Sequence, residues 1–308
     1  MTAANPFHGI HAATVTPMQN DYAIDEAGLA QHVKSVSLVP GICGLLVNGH
    51  AGENFVLTQE ELRRVVKVVR GAVPKACWLT AGINAESSLE AARQAADAEE
   101  AGANALLVFP PNSWALYHDI GMVAMHHEHV ERASTLPIVI YQAPVGAGRM
   151  AYQLSVIERL IASPRVRAIK EGSWEVATFE QNWRLVSARR PDIAVLGSSD
   201  EHLLTSYVIG SVGAQVSLAA VIPELILALH DAAMAKDWSR ARELHERLYP
   251  LSVAVYRNPP TNRATARLKA CLHILGRIAS ATARPPLQPL PREEIAGLEI
   301  ALRTATIS

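Results

Sequence analysis

Short apolar runs and longer amphipathic stretches take turns along most of the chain, and this alternation restricts the fold more than any other feature. The runs Ile10–Val15, Ile42–Val47, Cys77–Gly82, Asn104–Phe109, Pro137–Tyr141, Val166–Lys170, Ile193–Gly197 and Ala214–Leu218 have the length and apolar content of buried strands. The segments between them carry helical spacing. In one, Leu62, Val65, Val66 and Val69 fall at i, i+3, i+4 and i+7, behind a capping-box pair, Thr58 and Glu61. The next such segment ends at Gly102 as a helix C-cap and returns at once to an apolar run.

Strands that alternate with helices pair in parallel through crossovers. About eight such units in roughly 230 residues suit a closed (β/α)8 TIM barrel better than an open doubly wound sheet. The glycine fingerprint of a dinucleotide-binding fold is also missing after the first run, Ile10–Pro17. Beyond residue 222 the strands stop, and Pro223–Lys236, Trp238–Tyr256, Thr261–Ile278 and Arg292–Arg303 read as helices. We therefore expect a barrel domain over 1–230 and a helical C-terminal domain over 231–308, with the proline-rich link at 283–291 as a spacer.

Composition narrows the function. Over 308 residues the formal net charge is −1, so no long-range field draws nucleic acid or an anionic membrane, and a small molecule is the expected partner. Cys43, Cys77 and Cys271 are too few and too scattered for a disulfide framework or a cysteine-rich metal site. The N-terminal stretch lacks a signal peptide's basic and apolar regions, and no apolar run approaches a membrane span, so a cytoplasmic protein is expected. His126-His127-Glu128-His129 lies in the helical stretch 119–133; adjacent residues point to different faces, so only His126 and His129 could share a metal, and with no third ligand in view the cluster is expected on a solvated outer face. The basic segment 257–263 reads as a turn between helices.

In such a barrel, chemistry sits at the carboxyl ends of the strands. Lys170 ends the sixth run, where partial desolvation would lower its pKa and supply the neutral amine that attacks a carbonyl. Its alternatives are to reach solvent or to pair with Glu171. Tyr141 ends the fifth run, beside it, and could pass protons; equally, it could be a tyrosine with a buried ring and a wet hydroxyl. After the second run, Gly49-His50-Ala51-Gly52-Glu53 is either an ordinary glycine-rich turn or a nest of N–H groups for a carboxylate, with His50 able to titrate near neutrality.

Taken together, Gly49–Glu53, Tyr141-Gln142-Ala143-Pro144, Ile169-Lys170-Glu171, Gly197–Asp200 and Gly210–Ala214 resemble, in order and spacing, the dihydrodipicolinate synthase/N-acetylneuraminate lyase family of class I aldolases, over essentially the whole chain. The resemblance implies a homotetrameric barrel, a dimer of dimers, that needs no metal or organic cofactor. It implies Lys170 as the imine-forming residue for pyruvate or another 2-oxo acid and Tyr141 as the proton shuttle. It also implies substrate contacts at Gly49, Ala51, Gly52, Glu53, Ser198 and Val216. Several positions depart from the family pattern. His50 and Ala51 replace paired threonines, and His50 is the candidate for their relay role. The segment Phe109–Ser113 lacks the tyrosine pair of the synthases. The synthases' carboxylate-gripping arginine would fall near Gly146, with Arg149 as its possible substitute. These departures favour an aldolase or dehydratase of 2-oxo acids at least as well as a true 4-hydroxy-tetrahydrodipicolinate synthase. A non-catalytic 2-oxo-acid-binding protein on the same scaffold is the alternative from another class, and a metal-dependent aldolase lacks a ligand set.

Overall fold

A computed structural model describes residues 5–306. Eight parallel strands close into a barrel in sequence order: β1 Gly9–Ala13, β2 Ile42–Val47, β3 Trp78–Ile83, β4 Ala105–Val108, β5 Ile138–Gln142, β6 Val166–Glu171, β7 Ala194–Gly197 and β8 Gly213–Val216. Each coincides with an apolar run to within two residues. Seven helices link them: α1 Glu26–Ser37, α2 Gln59–Ala72, α3 Ser88–Glu100, α4 Ile120–Ala133, α5 Leu154–Ile161, α6 Val176–Arg189 and α7 Leu203–Ile209. The capping box is formed, with Thr58 Oγ1 accepting from Glu61 N–H and the Glu61 carboxylate from Thr58 N–H. Gly102 follows α3 at φ +97°, a conformation open to glycine.

The period-two alternation of each strand sorts its side chains between two cores. Phe7, Leu46, Leu107, Phe109, Val139, Tyr141, Ala168 and Leu196 fill the barrel interior, while Ile10, Leu45, Ile140, Ile169, Val195 and Val216 face the helices. On β6, the same alternation sends Lys170 inward and Glu171 outward. The Glu171 carboxylate is bonded by Asn182 of α6 (2.8 Å) and by the Ser173 hydroxyl (3.0 Å), which excludes a Lys170–Glu171 pair.

The eighth barrel helix, α8, runs Pro223–Met234, so the expected boundary at residue 230 falls inside it. Three helices follow: α9 Trp238–Tyr256, α10 Ala264–Ile274 and α11 Arg292–Thr306. The expected helix over 261–278 is thus shorter at both ends. These helices grip the barrel through buried charge. Lys269, fully buried on α10, pairs with the buried Glu53 carboxylate and donates to Thr282 O (2.8 Å), while Arg284 N–H donates to Glu53 Oε1 (2.8 Å).

The histidines of α4 correct the expectation of a solvated face. Val123, His126, His127 and Val130 are buried at i, i+3, i+4 and i+7, so the histidines occupy the inward stripe of their helix. His126 Nδ1 meets Ser88 Oγ (3.1 Å) and its ring packs edge-on to Trp114, but both ring nitrogens of His127 lack a partner. Burial lowers both pKa values, to about 4 and about 3, so both rings are neutral at pH 7. No helix among the described residues is long and apolar enough to cross a membrane.

Two stability predictions follow from these buried groups. A histidine that charges more readily unfolded than folded withdraws stability as pH falls through the window from about 6.5 to the folded pKa. His127→Leu should therefore raise Tm more at pH 5 than at pH 8; calorimetry at both values checks this, and an equal gain contradicts it. Lys269→Met leaves Glu53 unpaired and should destabilise by about 3–5 kcal/mol in urea unfolding, as loss of one partner of a buried ion pair does.

Candidate active site

The strand ladder sets the two central side chains side by side. Tyr141 on β5 is in direct register with Lys170 on β6, both pointing inward at the carboxyl end of the barrel, and Lys170 Nζ lies 5.8 Å from the Tyr141 ring centroid. Burial lowers the Lys170 pKa to about 8, an effect partly offset by the Asp200 carboxylate. About a tenth of the amine is then neutral at pH 7, against roughly three in ten thousand for a lysine at 10.5. Burial has the opposite effect on the phenol: it raises the Tyr141 pKa, as does the charge of Glu171, so the hydroxyl keeps its proton.

Gly172, the residue just after β6, makes this neighbourhood possible. A Cβ there would stand 2.8 Å from Gln142 O and 3.5 Å from the Tyr141 ring. The same position is 3.3 Å from Ser198 Oγ, which brings Ser198, at the end of β7, to the edge of the Tyr141–Lys170 pair.

Across the barrel, the loop after β2 forms a 3-10 turn, His50–Gly52, that is pinned from behind. Thr16 Oγ1 donates to Gly52 O (2.9 Å), Thr265 Oγ1 of α10 donates to His50 O (3.2 Å), and Gly49 O accepts from Gly52 N–H (3.0 Å). Among the described residues the N–H groups of His50 and Ala51 have no hydrogen-bond partner. The turn thus offers two free donors beside Gly49, the arrangement that receives a carboxylate. The His50 ring stacks between Phe55 (4.7 Å) and Phe109 (4.5 Å) and meets the Tyr141 ring edge-on (5.4 Å). His50 is exposed at the mouth, and the rings packed on it and the nearby Lys170 charge lower its pKa.

Three expected contacts take other places. The Glu53 carboxylate is committed to Lys269 and Arg284, which makes Glu53 the anchor of the loop; its backbone at φ +61° turns the chain there. Val216 packs its side chain outward against the helices, because a one-residue shift along a strand exchanges faces; the inward residue of β8 is Gln215. Arg149 is exposed, with its guanidinium 5.8 Å over the Tyr117 ring.

Two residues go beyond the sequence reading. Asp200, 2 % exposed, accepts from Leu218 N–H (2.9 Å) and stands near enough to Lys170 for each to shift the other's titration. Burial raises its pKa to about 6, so it is mostly ionised at pH 7. The buried Tyr256 hydroxyl, from the end of α9, lies beside Asp200 and Ser217, and Trp174 packs edge-on against its ring (5.5 Å). Asp200 was within reach as an acid following a strand end; Tyr256 gives no local signal.

Residues 6–305 match the dihydrodipicolinate synthetase family. The chain is 33 % identical to 4-hydroxy-tetrahydrodipicolinate synthase 1 of Streptomyces coelicolor, over 95 % of this chain and 92 % of that protein. It is 32 % identical to 4-hydroxy-tetrahydrodipicolinate synthase of Methanothrix thermoacetophila, over 96 % of each. Among solved structures, dihydrodipicolinate synthase of Agrobacterium tumefaciens superposes with TM-score 0.86 at 25 % identity, covering 98 % of this chain and 99 % of that one. In fold, the chain also resembles YagE, a prophage protein of E. coli solved in complex with pyruvate (TM-score 0.90, 22 % identity, covering 98 % and 99 %). With a family match that spans nearly the whole chain, the chain belongs to the dihydrodipicolinate synthetase family and is a lyase of it.

Proposed function

We propose that Lys170 forms an imine with pyruvate or another 2-oxo acid and that the chain makes or breaks a bond at the carbon next to that imine. The observation that carries this reading is a lysine of lowered pKa in register with a protonated tyrosine at the barrel mouth. In the proposed sequence, neutral Lys170 attacks the carbonyl carbon, and Tyr141 donates a proton as the carbonyl oxygen leaves as water. The protonated imine then accepts the electron pair released at carbon 3, when either a proton or a carbon fragment departs. The His50 and Ala51 N–H groups, with Gly49, hold the carboxylate. His50 is proposed as the proton partner of Tyr141, supported by their edge contact. Asp200 is proposed to keep part of the Lys170 population charged between turnovers.

Among 2-oxo-acid lyases, an aldolase or dehydratase is favoured by the β5–α5 loop, where Gly146 offers no cation and Arg149 lies over Tyr117. A true 4-hydroxy-tetrahydrodipicolinate synthase is the second reading, favoured by relatives of that name at 32–33 % identity. A homotetramer is proposed from family membership, with support from the exposed apolar side chains Leu116, Tyr117 and Ile120 on the β4–α4 segment. A cytoplasmic setting is supported by the unpaired Cys43, whose exposed thiol suits a reducing compartment.

Borohydride reduction with pyruvate, followed by peptide mass analysis, should add the reduced pyruvyl group to Lys170; modification elsewhere, or none with a panel of 2-oxo acids, contradicts the proposal. Removing the Asp200 charge removes what holds the Lys170 pKa up. In Asp200→Asn the rate of imine formation should reach its half-maximum at a lower pH than in the wild type, and an unchanged or higher midpoint contradicts the assignment.

A further inference from the structure

Around the barrel mouth the inward side chains divide by chemistry. On the β2, β4 and β5 side stand His50, Phe109 and Tyr141, their rings packed against one another. On the β7 and β8 side stand Ser198 and Gln215. Gln215 is 0 % exposed, and neither its Oε1 nor its Nε2 has a hydrogen-bond partner. Leaving both groups of a buried amide unpaired is costly, and an apolar residue of the same size would avoid it. Below it, Thr80 Oγ1 and His11 Nδ1 are also buried and unpaired, and His11 is in direct register with Gln215.

The ladder fixes the height of Gln215. At constant register Lys170 meets Leu196 on β7, and Leu196 meets Gly213 on β8. Strands in a barrel lean, so inward residues that share a level on alternate strands are offset by two positions. Following the register round the barrel from β6 through β8 and β1 leads toward the amino end of β6, so the offset at β8 runs forward, from Gly213 to Gln215. Lys170 and Gln215 therefore belong to one interior layer.

A 2-oxo acid held as an imine on β6, with its carboxylate at the β2 loop, has one further substituent, carbon 3. That carbon faces either the aromatic wall or the side carrying Gln215. We propose that Gln215 is a specificity-determining residue that hydrogen-bonds a hydroxyl on carbon 3 of the 2-oxo acid, accepting from it at Oε1. This inference rests on the Lys170 imine and narrows its substrate class to 3-hydroxylated 2-oxo acids.

The test is borohydride trapping over a range of concentrations of two acids that differ only at carbon 3, pyruvate and hydroxypyruvate. Wild-type Lys170 should reach half-loading at about tenfold lower hydroxypyruvate than pyruvate, the worth of one buried hydrogen bond. In Gln215→Leu that ratio should fall to about one, and Tm should rise because two unpaired groups are gone. Gln215→Met, closer in shape, gives the same comparison should the leucine variant fail to fold. A ratio that is the same in wild type and variant, or a wild type that prefers pyruvate, overturns the assignment of Gln215. Absence of label on Lys170 with either acid instead overturns the imine reading on which it stands.

Discussion

The structure depends on keeping one amine partly out of water at the end of a parallel strand. Desolvation disfavours an ammonium ion, and the closed barrel around Lys170 supplies it without a neighbouring cation. Closure also fixes the neighbour. With β5 and β6 paired in parallel register, Tyr141 stands beside Lys170 as a consequence of the ladder, before any contact between the side chains is considered. The same burial that frees the amine of its proton holds the proton on the phenol. One physical effect thus prepares both partners for opposite tasks.

The opposite wall is held differently. A 3-10 turn of three residues cannot keep its own N–H groups aimed, so its carbonyls are bonded from behind, by Thr16 of the barrel and by Thr265 of α10. Glu53 continues that attachment, its carboxylate buried against Lys269 and Arg284 N–H. The C-terminal helices are therefore part of the site's support. Through Tyr256 they also reach the surroundings of Asp200.

The barrel and the strand-end positions of Lys170 and Tyr141 were legible in the sequence, because apolar runs of strand length and helical spacing are local patterns. The losses share a cause: each depends on a partner distant in the chain or on a choice of face. Glu53 reads as a substrate contact until Lys269, far along the chain, claims its carboxylate. The outward side chain of Val216 was not legible, because β8 has only four residues, too few for alternation to fix the phase. His126 and His127 were assigned to solvent on polarity, although with Val123 and Val130 they keep the spacing of an inward stripe. Tyr256 sits at the end of a helix whose sequence says nothing of the strand ends it reaches.

The central claim is an amine at position 170 that loses its proton near neutrality in the ligand-free protein. Nitrogen NMR of protein labelled at its lysine side chains, with Lys170→Arg to identify the resonance, measures that titration directly. A midpoint near 8 agrees with the structure; a midpoint at or above that of an ordinary surface lysine, about 10.4, means that the amine is charged throughout the working range and contradicts the account.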